Sequence, residues 1–173
     1  SQLTARAREQ AEAAQEREVE TAELYDLSRD LAAAADLDTI LRILTRHVEK
    51  TFGRDIAVLL PESDRLVVRV ASADLELGED EMAVADWVYR RGESAGRHTN
   101  TLPAAQLRYL PLKTTRGIAG VLGVHGPGSA DRHLTLQQRR LMEAFTSQSA
   151  LAIERVQFAE QARQAQLLQA TEK

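Results

Sequence analysis

The stretch DIAVLLPESDRLVVRVA, residues 55–71, decides the fold. Two runs rich in β-branched and apolar residues, DIAVLLP (55–61) and RLVVRVA (65–71), lie on either side of the polar segment ESD. Such runs around a short polar turn are typical of two antiparallel strands joined as a hairpin. A second pair of this kind, LRYLPLKT (107–114) and IAGVLGVH (118–125), lies around TTRG. The sequence therefore predicts two hairpins.

Helical segments lie before and between these hairpins. Asp38 can cap a helix whose apolar residues follow helical spacing, and Gly53 suits the position just after its end. The acidic residues 79–81 favour the start of a further helix, which we expect to end at Gly92. Helices that interrupt hairpins without strict alternation favour an antiparallel sheet of the α+β class.

Both ends of the chain are predicted to be long helices. Residues 3–35 are rich in Ala, Glu, Gln and Arg and contain neither Gly nor Pro. After the loop GPGSADRH, Thr135 and Gln138 can form a capping box that opens a final helix from Leu136 to near Lys173. Large apolar residues are sparse in the outer part of each helix, so we expect both arms to need a partner.

A few apolar residues mark where these two helices can pack. In the first helix they recur at alternating spacings of three and four residues, as in a helical seam. We predict that two copies form a parallel helical bundle and that a change in its packing relays a signal. The residues expected to carry this relay are Leu24, Leu27, Leu31, Leu151 and Phe158.

The composition argues against several functions. The chain has no Cys, which removes disulfides, thiolate nucleophiles, Cys-based metal sites and thioether-linked chromophores. A formal net charge of −4, without a basic patch interleaved with aromatic residues, gives no basis for binding nucleic acid. No apolar run is long enough to span a membrane, and the start SQLTARAREQ lacks the apolar core of a signal peptide. We expect no membrane insertion by this segment.

Four strings carry a resemblance to a known family. They are TAELYDLSRDLAAAADLD (21–38), MAVADWVYRRGESAGRHTNTLPAAQLRYLPLKT (82–114), RGIAGVLGVHG (116–126) and LTLQQRRLMEAFTSQSALAIERVQFAEQA (134–162). With them the chain resembles a GAF domain, and more closely the GAF domains of KdpD-type potassium-responsive sensor histidine kinases. The most specific part is AG-R-x-T-x-T-LP followed by LPLKT.

The resemblance implies an organisation and a role. It divides the chain into a linker or coiled-coil helix (1–35), a GAF domain (36–157) and a helix leading toward a kinase dimerisation region (158–173). It implies a cytoplasmic, homodimeric sensory and relay domain that has no catalytic residues and no cofactor. The parent kinase would be anchored in the bacterial inner membrane, act on a response regulator and control potassium-uptake genes.

The loop 96–103 is the most distinctive candidate site. Thr99, Asn100 and Thr101 offer hydroxyl, amide and carbonyl oxygens, which are the hard ligands that suit a cation. His98 lies beside them and is the one histidine that merits a test. The same side chains can instead satisfy their own backbone in a structural crossover. Composition favours the structural crossover and leaves cation or ligand binding by this loop open.

Trp87 and Tyr109 are the other candidates for ligand binding. They could line the concave face where GAF domains hold small molecules, although such aromatic residues more often fill a core. The four histidines lack metal-site spacing, so we predict no metal site. Neither a G-x-S-x-G elbow nor a carboxylate in an apolar run indicates catalysis. The alternative to a relay is therefore a small-molecule- or nucleotide-binding GAF module of another bacterial signalling protein.

Overall fold

The computed structural model describes residues 1–72, 74–125 and 133–172, so most of the loop predicted before the last helix lies outside the described residues. The helices and strands follow the predicted order, with one short strand added. They are α1 (Gln2–Ala33), α2 (Leu37–Phe52), β1 (Asp55–Glu62), β2 (Arg65–Ala71), α3 (Glu79–Arg91), β3 (Ala95–Gly96), β4 (Arg108–Thr114), β5 (Gly117–His125) and α4 (Leu136–Glu172). Within these ranges no helix is long and apolar enough to cross a membrane.

The five strands form one antiparallel sheet in the order β2-β1-β5-β4-β3. Both predicted hairpins are confirmed. Glu62 pairs with Arg65 at the end of the first hairpin, and Thr114 pairs with Gly117 at the end of the second. β5 pairs with β1, which joins the two hairpins into one sheet. The predicted α+β class with an antiparallel sheet is therefore confirmed.

Helices cover both faces of this sheet. α2 and α4 pack on one face and α1 lies against both of them, whereas α3 packs on the opposite face. Side chains of β1 alternate between the two sides, as a strand requires. Ile56, Val58 and Leu60 join the core beneath α2 and α4. Ala57 and Leu59 join the second cluster, here called the α3-side core.

The start of α2 corrects one prediction. Asp36, rather than Asp38, is its N-cap, and the Asp36 carboxylate accepts a hydrogen bond from the backbone N–H of Thr39 at 2.8 Å. Asp38 lies in the first turn instead. The predicted end of the helix is confirmed, because Gly53 follows it with a left-handed φ of 62°.

The first and last helices run side by side in the same direction. Arg155, midway along α4, contacts the carbonyl oxygen of Leu31, late in α1. Val19, earlier in α1, lines one groove together with Leu141, earlier in α4. The exposed first turns of α1 therefore project beyond one end of the domain, and the exposed residues of α4 after Phe158 project beyond the other.

Two glycines of β5 allow close approach of neighbouring segments. A Cβ atom on Gly120 would lie 2.5 Å from the carbonyl oxygen of Leu59. A Cβ atom on Gly123 would lie 2.9 Å from the side chain of Leu107 and 3.0 Å from the ring of Tyr109. A larger residue would displace the β1 backbone at the first position and the Tyr109 ring at the second.

Candidate functional site

The carboxylate of Glu81 joins α3 to the chain between β3 and β4. Its Oε2 accepts a hydrogen bond from the backbone N–H of Gln106 at 2.9 Å. Its Oε1 accepts one from the N–H of Leu107 at 3.2 Å and another from the hydroxyl of Tyr109 at 2.8 Å. Glu81 therefore holds the end of the loop 97–107 against α3.

Tyr109 and Trp87 both belong to the α3-side core. Tyr109 is fully buried there. Burial first, and then the hydrogen bond to Glu81, raises the pKa of Tyr109 well above its usual value, so the phenol stays protonated and donates. Trp87 is only partly buried, and the guanidinium of Arg91 lies 5.9 Å from the centroid of its ring. The structure thus brings the two predicted aromatic residues into one cluster.

The hydroxyl of Thr99 is occupied within its own loop. Its single O–H lies within hydrogen-bonding distance of the carbonyl oxygens of Gly96, at 2.7 Å, and Thr101, at 2.8 Å. It also accepts a hydrogen bond from the N–H of Thr101 at 3.2 Å. Asn100 and His98 are exposed, and His98 has a φ of 64°. The geometry of Thr99 favours a structural crossover, and a ligand-binding role for this loop stays a prediction.

Two histidines that are distant in sequence lie together in the structure. The ring centroids of His98 and His133 are 4.1 Å apart, and the rings are tilted by 45°. The pair links the loop after β3 to the residues just before α4. No group of three or more His, Asp and Glu side chains in the described parts of the chain is arranged to hold a metal ion.

A cleft opens between the start of α3 and the loop segment 102–106. Its volume is about 870 Å³, within the range of small-molecule sites. None of the six residues predicted for ligand binding lines it. The acidic side chains that do are Glu76, Glu79, Asp80 and Glu81.

Sequence reasoning missed the role of Glu81. The acidic run 79–81 predicts the start of a helix, and these residues do form the first turn of α3. All three residues are acidic and adjacent, so the local pattern does not show that Glu81 turns inward toward donors at Gln106, Leu107 and Tyr109. The sequence does contain a weak signal, which is an acidic residue in the first turn of a helix followed later in the chain by a lone tyrosine in an apolar strand. This signal could have suggested the hydrogen bond between Glu81 and Tyr109.

The five residues predicted for helix packing fall into two groups. Leu27 and Leu31 are buried in the core of their own chain, and Leu24 packs against that core while partly buried. Leu151 and Phe158 keep 52% and 42% of their surface exposed. These two lie seven residues apart in α4 and therefore on one helix face. They are the exposed members of the set.

The turn between β4 and β5 contacts α4 where this helix leaves the domain. The hydroxyl of Thr114 donates a hydrogen bond to the carboxylate of Glu154. The guanidinium of Arg116 lies 4.7 Å from the ring centroid of Phe158, in the geometry of a cation–π contact. The position of α4 is thus tied to the edge of the hairpin as well as to the core.

Polar contacts fix α1 against α2. The Nε2–H of His47 donates to the carboxylate of Asp30 at 2.8 Å, and the guanidinium of Arg46 lies 3.4 Å from the same oxygen. The hydrogen bond with His47, reinforced by the surrounding positive charges, lowers the pKa of Asp30 against a partial desolvation. Earlier in α1, Glu23 accepts a hydrogen bond from the hydroxyl of Thr51.

Comparison with known proteins identifies a family and relatives of this chain. The family model of the GAF domain matches residues 36–155. The sensor protein KdpD of Escherichia coli K12 is 33% identical over 154 residues, which cover 89% of this chain and 17% of that protein. KdpD of Clostridium acetobutylicum is 26% identical over 161 residues, which cover 88% of this chain and 18% of that protein. The chain thus spans less than a fifth of the length of these relatives.

Solved structures show the same architecture. The crystal structure of the native GAF domain of the potassium sensor histidine kinase KdpD from Escherichia coli matches with a TM-score of 0.71 and 30% identity, covering 81% of this chain and 96% of that one. A fragment of a methyl-accepting chemotaxis protein, with a TM-score of 0.60, 17% identity and coverage of 77% and 98%, shares the fold. Since the family model covers most of the sequence, this chain belongs to the GAF domain family.

Proposed function

We propose that this chain is a sensory and relay domain of a KdpD-type sensor histidine kinase, and that it transmits a signal between its two long helices without catalysis of its own. Similarity to KdpD over 89% of the chain supports this assignment. In such a kinase the domain would lie on the cytoplasmic side of an inner-membrane protein. It would help to control potassium-uptake genes through a response regulator.

The observation that best supports a relay is the parallel packing of α1 and α4. The two helices contact each other along the domain and then project from opposite ends of it. A displacement that enters through α1 therefore reaches α4 through direct contact. Arg155 joins them where α1 ends, by hydrogen bonds to Leu31 and Ala34.

We further propose that two copies associate through the exposed faces of these helices. Leu151 and Phe158 on α4 and Tyr25 on α1 keep between 42% and 65% of their surface exposed. Complete burial of a large apolar side chain contributes about 1.5–3 kcal/mol. Switching a two-state kinase almost completely needs about 5.5 kcal/mol of differential stabilisation. Repacking a few such side chains in both copies can supply that amount.

Sedimentation equilibrium over a range of concentrations tests this association. We expect a reversible dimer that is weakened in the double variant Leu151→Glu, Phe158→Glu. Leu102→Glu is the control, because Leu102 is 45% exposed but lies in the loop that lines the cleft beside α3. A chain that stays monomeric at high concentration, even with the parent's flanking sequence restored, would contradict the relay.

The cleft beside α3 favours a second candidate function, the binding of a small molecule. Its volume of about 870 Å³ is sufficient, and four carboxylates line it. Such a lining attracts cations and hydrogen-bond donors and repels phosphates. The charge therefore favours a neutral or cationic ligand over a nucleotide.

Thermal unfolding in the presence of potassium, polyamines and nucleotides tests this candidate. A binding module should be stabilised by a cationic or donor-rich compound, and the double variant Glu76→Gln, Asp80→Asn should reduce that stabilisation. The control is Asp86→Asn, on the same helix but outside the cleft. The ligand hypothesis loses its support when no compound raises the melting temperature.

A further inference from the structure

The end of α1 is not fixed by its own sequence. Residues 32–35 are four alanines, the residue with the highest helix propensity, and no glycine follows at the position that commonly ends a helix. Yet α1 ends at Ala33, and Ala34 is extended, with a φ of −78° and a ψ of 131°. Asp36 caps α2 just beyond. Ala34 and Ala35 therefore form a short joint between two helices.

Arg155 of α4 contacts the chain where α1 ends. Its Nη2 donates to the carbonyl oxygens of Leu31 at 2.9 Å and Ala34 at 3.2 Å. In a continuing α-helix the Leu31 carbonyl would accept the N–H of Ala35. In the structure that carbonyl accepts the Ala34 N–H at 3.1 Å, in the tighter spacing of a final 3₁₀ turn. The guanidinium thus competes for the acceptor that an extension of α1 needs.

The same residue lies on the face of α4 that carries the exposed apolar side chains. Leu151 is four residues before Arg155 and Phe158 is three residues after it, so all three share one side of the helix. A rotation of α4 that repacks Leu151 and Phe158 would therefore also displace the guanidinium from the Leu31 carbonyl. The packing of α4 and the end of α1 are therefore linked through one side chain.

We propose that Arg155 is a positioning residue that sets the C-terminal end of α1, and that residues 34–35 are a joint that changes between extended and helical backbone. While Arg155 holds the Leu31 carbonyl, α1 ends at Ala33. When it withdraws, the Ala35 N–H bonds to that carbonyl and α1 lengthens. The use of this joint in signalling rests on the proposed relay, whereas the joint itself does not.

Backbone 13Cα chemical shifts of the four alanines in Arg155→Met test the joint. Met keeps much of the side-chain length and removes the donors. We expect the shifts of Ala34 and Ala35 to move toward helical values while those of Ala32 and Ala33 stay helical. The control Arg163→Met removes an exposed ion pair with Glu160 in the same helix and should leave all four unchanged. Shifts of Ala32 and Ala33 toward coil values would show simple fraying and overturn the proposal, as would no change at all.

Ala35→Pro provides a second, independent variant. Proline removes the N–H that the extension needs and disfavours helical backbone at Ala34. Adding Arg155→Met in this background should then leave the 13Cα chemical shift of Ala34 unchanged. If that chemical shift still moves toward helical values, the mechanism is contradicted. Sedimentation of the same samples separates the two proposals. If the joint changes in a chain that stays monomeric, also with the parent's flanking sequence restored, the joint is supported and the relay is rejected. A dimer with an unchanged joint supports the relay and rejects the joint.

Discussion

The hydroxyl of Tyr109 lies 2.8 Å from the carboxylate of Glu81 and donates a hydrogen bond to it. This contact connects the sheet to the first turn of α3. Through two further hydrogen bonds, from the N–H groups of Gln106 and Leu107, Glu81 also closes the loop over the α3-side core. Hydrogen bonds to a charged group are stronger than neutral ones, so Glu81 stabilises the side of the domain where the cleft opens.

Glu81→Gln should lower the free energy of unfolding by about 2 kcal/mol, because the charged acceptor is lost and the new amide N–H₂ faces backbone donors. Denaturant titration measures this change. Glu79→Gln is the matched control, since Glu79 is exposed in the same turn, and it should stay within about 0.5 kcal/mol. Equal losses in both variants would show that the acidic helix start matters and the three hydrogen bonds do not.

Gly123→Ala should destabilise the fold by about 1–3 kcal/mol, the usual range for overpacking. The new Cβ atom would lie 3.0 Å from the Tyr109 ring and 2.9 Å from Leu107, both of which are buried. Gly78→Ala is the control, because a Cβ atom there would meet nothing within 4 Å. Thermal or chemical unfolding compares the two, and equal stability would contradict the close packing of β5 on Tyr109.

Asp30→Asn should cost stability in a pH-dependent way. The pKa of Asp30 is lowered in the folded state, mainly by the hydrogen bond from His47, so its stabilisation is present above the unfolded value of about 4 and is lost as the pH falls through the lower, folded value. Because the Asp30 side chain is 29% exposed, we expect only a few tenths of a kcal/mol to about 1 kcal/mol.

Melting temperatures of both proteins between pH 6 and pH 2 check this prediction. The difference in melting temperature between the native protein and Asp30→Asn should be largest near pH 6 and should disappear at the acid end of the range. Asp26→Asn, whose side chain is 45% exposed, should show a smaller gap throughout. A gap for Asp30→Asn that stays constant into acid would mean that packing, and not the ionised carboxylate, joins α1 to α2.

Features of the fold that depend on local chemistry could be predicted from the sequence. The capping box is one, since Thr135 and Gln138 exchange hydrogen bonds at 2.9 and 3.1 Å as expected. The choice between Asp36 and Asp38 as the cap of α2 is different, because both residues suit that role locally. It depends on where α1 stops, and Arg155 from the far end of the chain contacts that point.

The candidate site was less predictable because its contacts are between distant segments. The aromatic side chain of Tyr109 could be expected to face a core. Its hydrogen-bond partner Glu81 lies in a different element, α3, and the pattern around Tyr109 does not predict it. The same holds for His98 and His133. Their spacing in the sequence does not predict a contact, yet their ring centroids lie 4.1 Å apart. Sequence patterns report the face of a helix or strand on which a residue lies, and topology decides what that face meets.

The absence of cysteine from the sequence allows the most direct test of the relay. Phe158→Cys introduces a single thiol on the exposed face of α4, and a disulfide between two copies forms only where their Cα atoms come within about 7 Å. Glu160→Cys, exposed on the opposite side of the same helix, is the control. The account predicts covalent dimers of Phe158→Cys under conditions in which Glu160→Cys stays monomeric. Equal cross-linking of the two variants, or none at Phe158→Cys, would contradict it.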